Sequence, residues 1–388
     1  MNPLPLFPVT TVGSWPRGRE LLRALGARRR REISAERFLD VARAGVRDAV
    51  AAQVDAGVDL VTDGEQTRDN FYSFVAEKLD GVRLMTLAEM LDLVEDKDGF
   101  RELLDTLDVP AFAISNPTCV GPIALREPLV EDDLRYVRSL TERPVKVTLP
   151  GPYLLTRAMW VQEASRDAYP SKEALGERVV EILAGEVGRL ARAGAAFIQL
   201  DEPVLTELVF TQGRTRTFMC AALAARRDPA EELAFAVSLL ARVLAAAGDV
   251  RTGLHVCRGN WSRDERTLLA GTYAPLAPWF DQLDVRQLVL EYATPRAGEI
   301  VATGGKELGL GVVNPRADRV ETPDEIRERV QRALRHVPAE KLFLNPDCGF
   351  GTFAARPMNA PELAQQKLAA MAAAASRLRE EHAGSRLG

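Results

Sequence analysis

A histidine and a cysteine two residues apart carry the clearest chemical signal in the sequence. His255 and Cys257 end the run RTGLHVC, whose short apolar pattern is typical of a β-strand. Residues two apart on a strand point to the same side, so both side chains can reach one point. Imidazole and thiolate are common zinc ligands. The pair alone is also compatible with a half-buried histidine beside a cysteine that packs as a small apolar residue.

Two further residues complete a candidate metal site. Glu291 ends the next predicted strand, and Cys348 follows the last one. If the strands close into one ring, all four side chains face the same opening, and the set predicts a Zn2+ ion with three anionic ligands. Such a site is a poor Lewis acid for water, but it suits a bound thiolate that must stay nucleophilic. The residues therefore favour S-alkylation chemistry.

The elements that must position these residues alternate along the chain. The predicted strands are Val9–Val12, Val58–Thr62, Val145–Leu149, Ala196–Leu200, Arg251–Val256, Gln287–Leu290, Leu308–Val313 and Lys341–Leu344. Predicted helices with apolar residues at helical spacing are Glu36–Ala56, Leu175–Ala193, Ala230–Ala247, Asp324–Arg335 and Ala360–Arg379. Eight strand–helix units predict an α/β fold of the (β/α)8 TIM barrel type, with its active site at the C-terminal strand ends. No G-x-G-x-x-G follows the first strand, which argues against a dinucleotide-binding sheet.

Three segments exceed the minimal strand–helix repeat. We expect them to be insertions on the catalytic face, at about 85–126, 210–228 and 261–281. The first contains AFAISNPTCVGPIAL, which predicts a hairpin-like extension beside the barrel. No linker rich in glycine or serine divides the chain, so we expect residues 1–388 to form a single domain.

Composition and charge exclude several classes of protein. The net charge of −5 over 388 residues gives no reason to expect nucleic acid or an anionic membrane as a partner. No segment approaches the ~20 apolar residues of a membrane helix, and the N-terminus does not resemble a signal peptide. Four cysteines are too few for a disulfide scaffold. We therefore expect a cytoplasmic protein with reduced thiols.

The order of several motifs resembles the catalytic domain of cobalamin-independent methionine synthases. The segments that carry the resemblance are TTVGSWPRG, VTDGEQTRDN, KVTLPGP, FIQLDEPVLTE, LHVCRGN, LVLEYATPR and LFLNPDCGF. The likeness runs from about Thr10 to about Leu378. It implies a zinc barrel that transfers a methyl group, from a methyltetrahydrofolate-type donor, to homocysteine and forms methionine. It also implies that zinc is bound by the His255, Cys257, Glu291 and Cys348 set.

The resemblance further implies residues that bind or act on the substrates. Glu65 and Asp201 match carboxylates that hold the homocysteine amino group, and we treat both as catalytic candidates. Gly13 and Ser14 match a backbone site for the homocysteine carboxylate, and Glu207 matches an acidic residue on the folate side. The physical chemistry agrees, since an ammonium group that loses its water in a pocket needs anionic partners.

The sequence departs from the family pattern where the methyl donor binds. The chain begins at the catalytic domain, so we expect a single-domain form without the family's N-terminal domain. Ala158 stands where a tryptophan stacks on the pterin, although Trp160 lies two residues further on. Arg316 stands where a histidine donates a proton. The identity of the donor therefore stays open, and a partner protein that supplies the methyl group is one alternative.

Two other functions also stay open. Epoxyalkane:coenzyme M transferases share the H-x-C and cysteine pattern, and the coenzyme M sulfonate would need cations such as Arg68, Arg258 and Arg316. Glu65 and Asp201 would repel a sulfonate, so they favour an amino-acid thiol. The remaining alternative is a non-catalytic zinc or thiol-binding protein, because a structural zinc site has four protein ligands. An enzyme with this ligand set would need one ligand, Glu291, to yield when the thiol binds.

Overall fold

The computed structural model describes residues 4–90, 93, 115–210, 228–260, 263, 268–354 and 358–385. Among these residues, six parallel strands pair in chain order into one continuous sheet, and two antiparallel strands form a separate hairpin. The hairpin strands are Leu79–Thr86 (β1) and Ser115–Leu125 (β2). The sheet strands are Lys146–Pro150 (β3), Phe197–Asp201 (β4), Arg251–Val256 (β5), Gln287–Leu290 (β6), Glu307–Val313 (β7) and Leu342–Pro346 (β8).

Two short segments near the N-terminus close the sheet into a ring. Residues 8–10 pair with β8 on one side and with residues 59–60 on the other, and Val61 pairs with the segment that leads into β3. The parallel bridges that close the ring join Val9 with Leu344, Thr10 with Leu60, and Val61 with Val145. The (β/α)8 barrel is thereby confirmed. The first two predicted strands are much shorter than expected, because only isolated bridges form there.

Helices surround the ring and lie close to their predicted positions. The α-helices are Arg19–Arg29, Ala35–Asp55, Val75–Lys78, Leu87–Met90, Glu131–Arg138, Pro152–Met159, Gln162–Ser165, Lys172–Arg192, Val204–Phe210, Pro229–Ala245, Ala277–Phe280, Pro323–Ala333 and Pro361–Ser385. Short 3-10 turns are Ala274–Leu276, Pro295–Ala297 and Ala339–Lys341. Among the described residues, no helix is long and apolar enough to span a membrane.

Local signals in the sequence explain where the long helices begin. Ala35–Asp55 follows Ser34, whose hydroxyl accepts a hydrogen bond from a backbone N–H of the first turn. Pro323–Ala333 follows Thr322, and Glu325 completes a capping box with it. The strands of the sheet are buried almost throughout, as parallel strands covered by helices must be.

The expected insertions are only partly within the described residues. The hairpin pairs Leu79 with Leu125 and Thr86 with Ser115. The first extension therefore begins at Leu79, earlier in the chain than the predicted start at Met85. Residues 91–92 and 94–114 of this extension lie outside the described residues, as do residues 211–227, 261–262 and 264–267 of the other two.

Candidate metal centre and substrate cavity

Three side chains that could hold a metal ion, here named the metal-binding group, meet at the C-terminal ends of two strands. His255 lies on β5, Cys257 directly follows β5, and Cys348 follows β8. Their ligand atoms all lie within 4.8 Å of one another, and all three residues are buried. Alternation along β5 puts the first two on the same side. β5 and β8 are not neighbours in the sheet, so only the closed ring brings Cys348 to them.

The imidazole of His255 is oriented as metal-binding histidines usually are. Its Nδ1 lies 2.9 Å from Oδ1 of Asp201. Its Nε2 is buried and has no hydrogen-bond partner. A carboxylate on one ring nitrogen fixes the tautomer that leaves the other nitrogen free to bind a metal. The orphaned nitrogen beside two sulfur atoms therefore fits a divalent metal ion.

The electrostatics of the group hold one of its three residues, Cys348, in the form that binds a metal. The hydrogen bond from Cys257 and the charge of His255 lower the pKa of Cys348 to about 6, although burial acts in the opposite direction. Burial, the largest single influence, would lower the pKa of His255, but Asp201 and Cys348 together outweigh it and raise that pKa to about 10. The hydrogen bond to Cys348 raises the pKa of Cys257. Cys348 is therefore held as a thiolate, which is the form that binds metals.

The fourth predicted ligand, Glu291, lies outside this group of three. Its Oε1 accepts hydrogen bonds from the backbone N–H of Arg258 at 2.7 Å and from the side chain of Asn260 at 2.5 Å. Its Oε2 accepts a hydrogen bond from Arg296 at 2.9 Å. Both carboxylate oxygens thus bind protein groups in this structure. Metal binding by Glu291 stays a prediction.

Asp201 contacts the metal-binding group directly, which the sequence did not indicate. Besides His255, its Oδ1 accepts a hydrogen bond from Nε2 of Gln199 at 2.7 Å. The contact follows from strand pairing, because Asp201 at the end of β4 stands opposite His255 on β5. Asp201 also lines the cavity in front of the group. Asp201 therefore orients the imidazole. The predicted contact with the homocysteine amino group would be a second role of the same carboxylate.

Glu65 presents a second carboxylate to the same cavity. Its Oε1 accepts a hydrogen bond from the hydroxyl of Thr148 at 3.0 Å, whereas its buried Oε2 has no partner. Burial raises the pKa of Glu65 to about 7. Gly13 lies against this carboxylate, and a Cβ atom there would stand 2.5 Å from Oε1. A glycine is therefore needed at position 13 for Glu65 to face the cavity.

The cavity in front of the metal-binding group has a volume of about 60 Å³. Its polar wall consists of Ser14, Glu65, Asp201, His255, Cys257, Asn260, Thr352 and Cys348. Phe71, Tyr72 and Phe353 supply an aromatic wall that sequence reasoning did not identify. The run DNFYSF, which follows the second predicted strand, was the available signal for Phe71 and Tyr72. A small thiol with an amino group and an apolar chain would meet matching chemistry here.

The residues expected near the methyl donor do not line this cavity. Glu207 is buried on the helix Val204–Phe210 and lies 3.4 Å from Nη2 of Arg157. Ala158 is fully buried and Trp160 is half-buried, and neither belongs to the cavity wall. Arg316 is buried and donates through Nε to Oδ1 of Asn260 at 2.9 Å. The predicted role of Glu207 in donor binding stays a prediction.

The cations proposed for a sulfonate are directed away from the cavity. Arg68 donates to the backbone oxygen of Thr148 and pairs with Asp63 at 3.3 Å. Arg258 lies 3.7 Å from the ring centre of Tyr273 and donates to backbone oxygens. Among the described residues that form the cavity wall, none is an arginine or a lysine. The site therefore offers little for a sulfonate.

The fold and the site together define a (β/α)8 barrel with a candidate metal-binding group at the C-terminal ends of its strands. The chain belongs to the cobalamin-independent methionine synthase family, because the family model described as cobalamin-independent synthase, catalytic domain, matches residues 7–377.

Relatives with established names agree with this membership. The chain is 30% identical over 355 residues to the methionine synthase of Thermococcus kodakarensis, which covers 89% of this chain and 87% of that protein. It is 27% identical over 355 residues to the 5-methyltetrahydropteroyltriglutamate–homocysteine methyltransferase of Thermotoga maritima, and spans 42% of that longer protein. A B12-independent methionine synthase from Shewanella sp. W3-18-1, solved with selenomethionine, shares the fold at 23% identity, with a TM-score of 0.74 and coverage of 98% and 99%.

Proposed function

We propose that the protein is a zinc-dependent methyltransferase that transfers a methyl group to the thiol of homocysteine and forms methionine. The observation that carries the proposal is the meeting of His255, Cys257 and Cys348 beside two cavity carboxylates, Glu65 and Asp201. The metal-binding group suits thiol activation, and the carboxylates suit an amino acid. Family membership and the names of the relatives support the same activity.

Zinc is the metal that we propose for this group. One imidazole nitrogen and two thiolate sulfurs are ligands that zinc prefers, whereas magnesium and calcium prefer oxygen. His255, Cys257 and Cys348 would hold the ion, with Glu291 as the proposed fourth ligand. When bound, zinc supplies the positive charge that keeps a nearby thiol deprotonated at neutral pH.

The cavity carboxylates would hold the amino group of homocysteine. Glu65 has a buried oxygen without a partner, so an ammonium group there would gain a charge-assisted hydrogen bond. Asp201 lines the same cavity and contacts His255. For the substrate carboxylate we propose the backbone at Gly13 and Ser14, of which Ser14 lies in the cavity wall. Together these groups would fix the sulfur of the substrate towards the metal-binding group.

For the methyl donor we propose a methyltetrahydrofolate-type molecule, which the name of the Thermotoga maritima relative supports. Glu207 is the residue of this chain that we propose on the donor side. The alternative is a partner protein that delivers the methyl group. We also propose that residues 1–388 fold as one domain. A cytoplasmic location is a separate proposal, since the described cysteines form no disulfide, as expected in a reducing compartment.

X-ray absorption at the zinc edge tests the thiol half of this proposal. Homocysteine and coenzyme M are added separately to zinc-loaded protein, and the number of sulfur atoms around zinc is measured. We expect homocysteine to add one sulfur and coenzyme M to add none, because the cavity wall has carboxylates instead of cations. If only coenzyme M adds a sulfur atom to the zinc ion, the assignment of homocysteine as the substrate would be contradicted.

Product formation tests the enzymatic half. Zinc-loaded protein is incubated with homocysteine and a methyltetrahydrofolate with one or several glutamates, with and without a cell extract as a source of a delivery protein. Methionine is measured. Cys119→Ser is a matched control, because Cys119 lies in the hairpin and donates to the backbone of Gly121. Cys348→Ser should lose all activity, whereas Cys119→Ser should keep it. Methionine formation that does not depend on zinc would contradict the proposal.

A further inference from the structure

Arg17 is a buried arginine to which the proposed reaction gives no role. Only 4% of its surface is exposed. Nη1 donates to the backbone oxygen of Gly351 at 2.7 Å, and Nη2 donates to the backbone oxygens of Glu65 and Arg68, each at 2.7 Å. Because the donors of a guanidinium form a rigid planar fork, these bonds fix the relative positions of the acceptors.

The acceptors belong to two loops that carry different halves of the site. One loop contains Glu65, whose carboxylate faces the cavity. The other loop directly follows Cys348, whose sulfur belongs to the metal-binding group. Arg17 itself is not among the described residues that line the cavity. It can therefore influence the site only through these loops.

The segment around Arg17 is attached to both loops by further bonds. The backbone N–H of Trp15 donates to the oxygen of Gly64 at 2.9 Å. On the other side, the backbone N–H of Phe350 donates to the oxygen of Ser14 at 3.0 Å. Ser14 and Trp15 thus lie between the loops, and the guanidinium of Arg17 bonds to both at once.

The conformation of Glu65 shows why such a bond is needed. Its φ angle is +55°, a left-handed conformation that residues other than glycine rarely adopt. Surrounding contacts must hold such a residue in place. Its backbone oxygen accepts the bond from Arg17, and its backbone N–H donates to Asp63 at 3.1 Å. Burial lowers the pKa of Arg17 to about 10, so the guanidinium stays charged at neutral pH and its bonds stay charge-assisted.

We propose that Arg17 is a positioning residue that holds the Glu65 loop and the loop after Cys348 at a fixed separation. Further along the chain the two segments also pair directly, through Asn70 with Phe353, so Arg17 would set the separation at the ends that carry Glu65 and Cys348. The expected effect on homocysteine binding rests on the proposed function, whereas the coupling of the two loops rests on the hydrogen bonds of Arg17 alone.

The test compares Arg17→Ala with Arg19→Gln, an exposed arginine two positions further on. For zinc-loaded proteins we expect kcat/KM for homocysteine to fall about 100-fold in Arg17→Ala, mainly through KM, since small displacements in a site have effects of this size. The zinc content should stay at the wild-type value, because the three metal-binding residues do not contact Arg17. Guanidinium at a concentration that does not denature the protein should restore part of the lost activity. Arg19→Gln should behave as wild type.

Hydrogen exchange gives a second measurement that does not depend on activity. We expect amides in residues 64–68 and 349–351 to exchange faster together in Arg17→Ala. Wild-type exchange in both loops would overturn the proposal, and so would a loss of zinc equal to the loss of homocysteine affinity. If Arg17→Ala does not fold, Arg17→Lys replaces it in the exchange measurement. Because one ammonium group cannot reproduce the fork of a guanidinium, at least one of the two loops should still exchange faster than in the wild type. Unchanged exchange in both loops would overturn the proposal. A wild-type protein that makes no methionine would refute the proposed function and leave the exchange test intact.

Discussion

Replacing Asp201 with asparagine removes the negative charge behind the imidazole of His255. The change keeps the shape of the side chain, and an amide oxygen can still accept the hydrogen bond from Nδ1 that now measures 2.9 Å. What is lost is the charge that strengthens the metal-bound imidazole. Partners of this kind are worth about 10–100-fold in metal affinity, or about 1.4–2.8 kcal/mol. We expect zinc to bind more weakly by this amount.

The effect should depend on pH in a defined direction. Asp201 and Cys348 together outweigh the effect of burial and raise the pKa of His255 to about 10, so a proton competes with the metal for Nε2 in the wild type. The variant loses this charge, its histidine pKa falls, and the proton competes less. The difference in zinc affinity between the two proteins should therefore be smaller at about pH 6 than at about pH 9.

Glu65→Gln is the matched control for this experiment. Both substitutions remove one buried carboxylate charge from the same cavity, but only Asp201 contacts the metal-binding group. Zinc affinity is measured by competition with a coloured chelator, and homocysteine affinity by calorimetry on zinc-loaded protein. Both variants should lose homocysteine affinity, and only Asp201→Asn should lose zinc affinity. A zinc affinity for Asp201→Asn within about twofold of wild type would refute the reasoning, because that is well below the smallest expected loss.

Three further expectations concern the same site. Cys348→Ser should abolish zinc retention without unfolding the barrel, as checked by metal analysis and circular dichroism. Full activity of the wild-type protein after its zinc is removed would contradict the role of Cys348 as a zinc ligand. Gly13→Ala should raise the KM for homocysteine about 10-fold or more at unchanged zinc content, because its Cβ would stand 2.5 Å from Oε1 of Glu65 and displace that carboxylate. Methionine should bind more tightly as the pH rises through about 7, because burial raises the pKa of Glu65 to that value and only the ionised form attracts an ammonium group. Calorimetry should find no such rise in Glu65→Gln, and an identical rise there would exclude Glu65 as its origin.

Much of the fold could be predicted because its signals are local. Helix periodicity placed Lys172–Arg192 and Pro229–Ala245 within a few residues of their observed bounds. The strands of the continuous sheet were recognisable as short apolar runs between helices. The first two strands were overestimated, because residues 9–10 and 60–61 form only isolated bridges. Apolar runs show which residues are buried, but they do not show how many backbone hydrogen bonds will form.

The candidate site was predictable where strand alternation and barrel closure determine it. His255, Cys257 and Cys348 meet for these reasons. The orientation of Glu291 was not predictable, since it depends on hydrogen bonds from Asn260 and other side chains in separate loops. The contact between Asp201 and His255 depends on the register of β4 against β5, which no local pattern encodes.

Arg17 illustrates a second limit of sequence reasoning. It lies in SWPRGRE, where an arginine looks like an ordinary loop residue. Its partners are backbone oxygens of Glu65, Arg68 and Gly351, which are present at every position and leave no pattern in the residue types. Only the folded chain shows that these oxygens converge on one guanidinium.

The bridge between Val9 and Leu344 has a consequence for the order in which the protein can fold. A ribosome makes Leu344 long after Val9, and contacts so distant in sequence form slowly. Until then His255 and Cys257 can lie together at the end of β5 while Cys348 is still missing. A nascent chain that ends before Cys348 would thus carry two of the three candidate ligands on an open sheet, so the proposed metal centre would form together with ring closure.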